Sequence, residues 1–162
     1  SLPGRLREHL PVISHAPVGY RCPFCRNIRT GTGEHPLEVI HRDADVLVKV
    51  NPKWRPGNPG SVLVVPVRHY ENIFDLPVEL GLPIQRAARA AALAMRSAFG
   101  CQGVSTRQHN EPAGDQDVWH YHVHVIPRWH GDDFHAQSGT MAPTEDVRRR
   151  ADQLREAWAL GS

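Results

Sequence analysis

Apolar residues recur along the chain with two periods, and the switches between them lay out the predicted elements. Leu37–His41 and Asp45–Val50 are β-branched runs separated by Arg42-Asp43-Ala44, which reads as a hairpin. Ser61–Val67 is continuously aliphatic up to Pro66, the pattern of a central strand buried on both faces. From Val78 to Phe99 the spacing becomes helical, with Ile84, Ala88, Ala91, Ala92, Met95, Ala98 and Phe99 on one face and Arg86, Arg89 and Arg96 largely opposite. Pro83 falls in the first turn and Gly100 ends the helix. Gly103–Asn110 reads as a fourth strand and the alternating Trp119–Arg128 as a fifth. Thr144 is placed to cap a last helix in which Val147, Ala151, Leu154 and Trp158 form a stripe.

The connecting stretches are read from their breakers. Asn51–Gly60, with Pro52, Pro56, Gly57, Pro59 and Gly60, is too broken for a regular element, and Trp129–Met141 is polar and irregular. Cys22–Thr30 looks like a knuckle with a short helical turn, stopped by Gly31-Thr32-Gly33. Residues 1–20 read as an arm with at most a short helical piece at Leu6–Leu10, and residues 21–162 as one domain. The order of elements predicts an α+β fold: a five-stranded, mostly antiparallel sheet with one long helix and a C-terminal helix.

Composition narrows the classes. A chain of 162 residues with 40% hydrophobic and 22% charged residues suits one soluble globular unit. No apolar run approaches the roughly 20 residues of a membrane span, and Ser1–Leu10 carries charges where a signal peptide has its apolar core, so a cytoplasmic protein is expected. A net charge of +2 argues against a nucleic-acid surface and for a small anion as partner. Three cysteines are an odd number for a disulfide framework. Cys22 and Cys25 form a Cys-x-x-Cys pair, which suggests metal or redox chemistry, and Cys101 reads as a buried thiol.

The chemistry concentrates in Trp119–Arg128. With a period of two, His120, His122 and His124 share one strand face while Tyr121, Val123 and Val125 share the other. Successive imidazoles then stand roughly 7 Å apart, close enough to line a chain of phosphates or to divide between a metal and a substrate. Histidine fills a core poorly and serves well as nucleophile, acid or ligand, so an inert solvated face is the weaker reading.

His-x-His-x-His followed by two aliphatic residues and Pro-Arg, here His120 to Arg128, resembles the histidine triad (HIT) family of nucleotide-binding hydrolases and transferases. The resemblance spans about Cys22 to Arg128 and implies a five-stranded antiparallel sheet with helices packed on it, commonly as a homodimer. In zinc-bearing members the ligands are the Cys-x-x-Cys pair, the histidine of a Pro-x-x-His pattern and the first triad histidine. The matching positions are Cys22, Cys25, His69 and His120. A closed Cys2His2 set has no position for a reactive water, so this zinc is expected to be structural. A redox pair would instead sit between a strand and a helix of a βαβ unit, whereas Cys22 and Cys25 precede the first strand.

The same resemblance makes His122 the nucleophile that becomes nucleotidylated, with His124 contacting the phosphate or leaving group. Asn51 matches the residue that holds the ribose hydroxyls, and Gln116 a phosphate-binding glutamine. Asn110 matches the asparagine of an Asn-x-Gly turn after a one-residue slip; without the slip, His109 takes that place. Arg128 is assigned to the surface or to bracing a loop. Two departures stand out. Asp117 replaces the usual Ser or Thr, where a carboxylic acid could give its proton to a leaving group, and Glu111 and Asp115 occupy a turn in which glycine is common. Acidic side chains beside phosphates repel them unless protonated or turned away. The expected activity is cleavage of the α-phosphate linkage of adenylylated or related nucleotides through His122. The alternatives are a dinucleoside polyphosphate hydrolase or phosphorylase, and a non-catalytic, zinc-stabilised nucleotide-binding module.

Overall fold

The computed structural model describes residues 14–30 and 38–160. The helical piece at Leu6–Leu10, the stop at Gly31-Thr32-Gly33 and the strand start at Leu37 lie outside them. Five strands form one sheet, β1 (Val39–Arg42), β2 (Val46–Val50), β4 (Val62–Pro66), β6 (Val123–Arg128) and β5 (Gly103–Arg107), in the order β1-β2-β4-β6-β5. Every neighbouring pair is antiparallel. The expected hairpin is β1–β2, and the aliphatic run is β4, central and buried at every position.

The helices follow from the stripes. Val46, Val48, Val50, Val62, Val64 and Val125 meet α2 (Gly81–Phe99) and α3 (Thr144–Leu160) on one side of the sheet. Ile84, Ala87, Ala88, Ala91, Ala94 and Met95 of α2 are buried there, the small alanines letting the helix lie close. Gly100 ends α2 in the left-handed conformation (φ 63°), its N–H donating to the Arg96 carbonyl. Gly60 has φ +88°, and a Cβ there would come within 2.6 Å of the Phe99 ring, so the loop entering β4 requires glycine. The opposite face carries α1 (Pro23–Thr30), whose Phe24 packs on Leu63 and Val65. The rest of that face is left open. Cys101 is buried, and among the described residues no helix is long and apolar enough to cross a membrane.

Several expectations are corrected. The loop after β2 contains β3 (Lys53–Trp54), paired with β7 (Thr140–Met141) from the stretch read as irregular. Two-residue strands have no periodicity to read, and this pair exists through its tertiary partner. The ladder of the triad strand starts at Val123 and not at Trp119, because the Tyr121 N–H bonds the Tyr70 carbonyl (2.7 Å) instead of a neighbouring strand. β5 stops at Arg107 and not at Asn110. Beyond it the amides of Gln108 and Asn110 bond each other, and the chain turns at Glu111 with φ 66°. Val78–Leu80 is a 3-10 turn, so the long helix begins at Gly81. Thr144 is the first residue of α3 and not its cap; the Pro143 carbonyl receives the N–H groups of Asp146 and Val147.

Candidate functional site

Cys22 and Cys25 at the start of α1, His69 just after β4 and His120 ahead of β6 converge, with one ligand atom from each within 4.8 Å of the others. His120 is fully buried. Its Nε2 lies 2.9 Å from the Pro66 carbonyl, an oxygen that only accepts, so the proton is on Nε2 and the Nδ1 lone pair faces the cluster. Burial, with His69 and His122 nearby, lowers the pKa of this imidazole to about 4, which keeps it neutral and able to ligate. Nδ1 lies 3.0 Å from His69 Nδ1, 3.3 Å from Cys22 Sγ and 3.5 Å from Cys25 Sγ, and Cys25 Sγ lies 3.2 Å from His69 Nδ1. Zinc bonds of about 2.0 Å to nitrogen and 2.3 Å to sulfur set tetrahedral edges of roughly 3.3–3.5 Å between such atoms. The donor set therefore fits a zinc ion in both chemistry and size. Burial and the neighbouring Cys22 push the Cys25 thiol up to about 11, so its proton must be displaced by a cation for it to ligate.

Beside this cluster the open sheet face forms a cleft of about 460 Å³. Its floor is set by register: Lys49 pairs with Leu63, Leu63 with His124 and His124 with Arg107, so these four side chains leave the same face in a row. His122 lines the cleft next to His124, ring centroids 5.0 Å apart, and is nearly buried. Its Nδ1 is 2.7 Å from the His120 carbonyl, which places the proton on Nδ1 and leaves Nε2 with the lone pair. Phe24 meets the rings of His120 and His122 edge-on at 5.7 and 5.3 Å, holding both in place. Burial lowers the pKa of His122, with His109 adding to the shift. Burial, then His122 and His109, lowers His124 to about 3. Both rings are neutral near pH 7.

Of the other expected residues, Asn51 and Asp117 line the cleft, Asp117 exposed at its rim. Gln116 and Asn110 do not. The buried Gln116 amide donates to the Glu71 and Val118 carbonyls (2.6 and 3.1 Å) and accepts from the Glu111 N–H and Asn72 (2.9 and 3.3 Å), which leaves it no bond for a phosphate. Asn110 accepts from the Ile73 N–H at 2.7 Å and pairs with Gln108. His109 lines the cleft instead, its ring 6.0 Å from that of His124 and its Nδ1–H donating to the Gly114 carbonyl at 3.0 Å.

The acidic turn has a backbone suited to glycine. Glu111 and Asp115 both have φ 66°, the conformation glycine adopts without strain. The Glu111 carboxylate turns away from the cleft to His15 and Asn72. Arg128 braces a loop as expected: it holds Asp132 by two bonds of 2.7 and 3.1 Å, and Asp132 also accepts from Asn58 and from the Trp129 and Phe134 N–H groups. The guanidinium keeps that carboxyl well below the usual carboxylate range. Sequence reasoning missed Lys49, which lines the cleft and pairs with the buried Glu38 at 2.9 Å, and also Arg55, Arg107 and Phe134.

The HIT domain family profile matches residues 32–131. The chain belongs to the HIT family. This HIT protein is 34% identical over 122 residues to Protein hit of Bacillus subtilis, a match spanning 75% of this chain and 81% of that one. It shares its fold with the crystal structure of a Zn-bound histidine triad family protein from Mycobacterium smegmatis, at a TM-score of 0.72 and 27% identity over 86% of this chain and 94% of the other. It is 26% identical over 133 residues to an adenylylsulfatase of Arabidopsis thaliana, covering 82% of the HIT protein and 65% of that enzyme. The family thus includes nucleotide hydrolases.

Proposed function

We propose that this HIT protein is a nucleotidyl hydrolase or transferase in which His122 attacks the α-phosphorus of an adenylylated or related nucleotide. The observation that carries the reading is the fixed tautomer of His122, with Nδ1–H held by the His120 carbonyl and Nε2 unprotonated in a ring that lines the cleft. As the Nε2–P bond forms, positive charge develops on the ring, and the carbonyl on Nδ1–H stabilises it. The bond from phosphorus to the leaving group breaks, and water then cleaves the P–N bond to release the mononucleotide. His124 contacts the phosphate, and Asn51, which also lines the cleft, holds the ribose. Asp117 stands at the rim as a proton donor for leaving groups that need one.

Cys22, Cys25, His69 and His120 hold one structural zinc in this reading, supported by the fit of the donor set and by the zinc-bound relative. The ion would fix α1, and with it Phe24, against the triad. The homodimer is proposed with the exposed Phe74, Val78 and Leu82 at the entry to α2 as its apolar contact. The exposed Asp115 and Asp117 at the rim favour a second reading, a nucleotide-binding module without turnover. One panel separates the two: adenylylated amines, mononucleotide anhydrides and dinucleoside polyphosphates, each assayed for mononucleotide release with and without added phosphate. Release from at least one class supports the enzyme, and nucleoside diphosphate formed only with phosphate marks phosphorolysis. Binding without release from any substrate leaves the module.

A further inference from the structure

The cleft is polarised in a way the triad chemistry does not use. At one end Lys49 is neutralised by Glu38, and Leu63 and Phe24 supply an apolar wall. At the other end, across His124, stands Arg107, whose guanidinium carbon is 5.7 Å from the centre of the Phe134 ring. Arg55, just past β3, lies 3.9 Å over the same ring, and Arg128 lies 4.4 Å from it. Phe134 is only 3% exposed and acts as a fixed platform for the three cations.

Their charges are balanced unequally. Arg128 is spent on Asp132. Arg55 donates Nε to the Gln137 carbonyl, a neutral acceptor, and among the described residues neither Arg55 nor Arg107 forms a salt bridge. Burial, together with repulsion from Arg107 and Arg128, lowers the pKa of Arg55. Two uncompensated guanidiniums on one platform repel each other, and an anion between them reverses the sign of that interaction. Their planar forks of N–H donors match the oxygens of a phosphoryl or sulfuryl group.

We propose that Arg55 and Arg107 form an oxyanion subsite for the group that leaves the α-phosphorus, so that the preferred substrates are nucleotides joined by an anhydride to a phosphate- or sulfate-type anion and not nucleotidyl amines. The assignment rests on the nucleotidyl-histidine reading above. In the first step the His122 Nε2–P bond forms as the bridging P–O bond breaks. The electron pair stays on the bridging oxygen, which departs as an oxyanion onto the two guanidiniums and needs no proton. Water then adds its oxygen to phosphorus, the P–N electron pair returns to the ring, and the proton from water passes to solvent.

The test uses zinc-loaded protein and three substrates with one nucleoside: the 5′-phosphosulfate, the 5′-diphosphate and the 5′-phosphoramidate. Wild type is expected to favour the two anhydrides, and their relative rates identify the oxyanion. In Arg107→Gln and Arg55→Gln the ratio of kcat/KM for anhydride over amidate should fall by about 10- to 100-fold, the worth of a charge-assisted hydrogen bond, with part restored in Arg107→Lys. A ratio unchanged in both glutamine variants, or equal losses on all three substrates, overturns the assignment. If wild type cleaves none of them, calorimetry with pyrophosphate and sulfate decides the subsite alone. Binding at least about 10-fold weaker in the Arg55→Gln, Arg107→Gln double variant keeps the subsite, and equal binding removes it.

Discussion

Removing the metal should release α1 while leaving the main core folded. Ordering eight residues, Pro23–Thr30, costs roughly 8–16 kcal/mol in backbone entropy. Burying Phe24 and Ile28 returns roughly 3–6 kcal/mol. The intrahelical hydrogen bonds and the Arg42 bond to the Ile28 carbonyl (2.8 Å) add about 3–7 more. Without metal the helix is thus close to balance, as expected for a helix this short. With free zinc at about 1,000 times its dissociation constant, linkage adds about 4 kcal/mol, a factor of about 1,000 in the opening equilibrium. The assay is hydrogen exchange followed by mass spectrometry, on zinc-loaded protein, on chelated protein and on Cys22→Ser. Amides at the C-terminal end of α1 should lose protection by on the order of 1,000-fold while β4, β6 and α2 keep theirs. Equal protection of α1 with and without zinc would refute the argument.

Three further outcomes are expected. Asp117→Asn should slow cleavage of amidates by on the order of 100-fold, the weight of a general acid, and leave sulfate and phosphate anhydrides unslowed, since those need no proton; equal effects on both classes would make Asp117 a bystander. His124, held from the ordinary 6.5 down to about 3, is protonated in the unfolded chain before the folded one as pH falls, so its contribution is intact above about pH 6.5 and lost progressively toward pH 3. Urea unfolding at pH 7 and pH 5 should therefore show a loss smaller by about 2 kcal/mol in His124→Gln than in wild type, and identical losses would contradict it. Phe74→Asp combined with Val78→Asp should convert a sedimenting dimer to monomer, whereas a wild-type monomer at micromolar concentration would end the dimer proposal.

What the sequence made legible was whatever had a local period or a fixed spacing. The β-branched runs around Asp43, the aliphatic Val62–Pro66 and the alanine stripe of α2 each report their own environment, and the main sheet and helices follow from them. The convergence of Cys22, Cys25, His69 and His120 was legible because each sits in a short recognisable motif, although the motifs are far apart in sequence. Gln116 and Asn110 show where motif reading runs out. Their chemical type suits a phosphate, but the strained turn at Glu111 and the loop at Glu71–Ile73 claim their hydrogen bonds first. Arg55, Arg107 and Phe134 had no signal at all. They come from a proline-rich loop, a strand end and a polar stretch, and the β5–β6 register, the Arg128–Asp132 brace and the Arg55 bond to Gln137 bring them to one place.

If His122 carries the nucleotidyl group, rapid quench into base captures the phosphorus–nitrogen intermediate. Protein mixed with excess substrate is denatured within the first turnovers, digested and mapped by mass spectrometry under conditions that preserve a P–N bond. One nucleotidyl group is expected on the peptide containing His122, absent in His122→Ala, which should also lose turnover while keeping its zinc. A turning-over wild type with no label at His122, or a His122→Ala variant with wild-type activity, would contradict it.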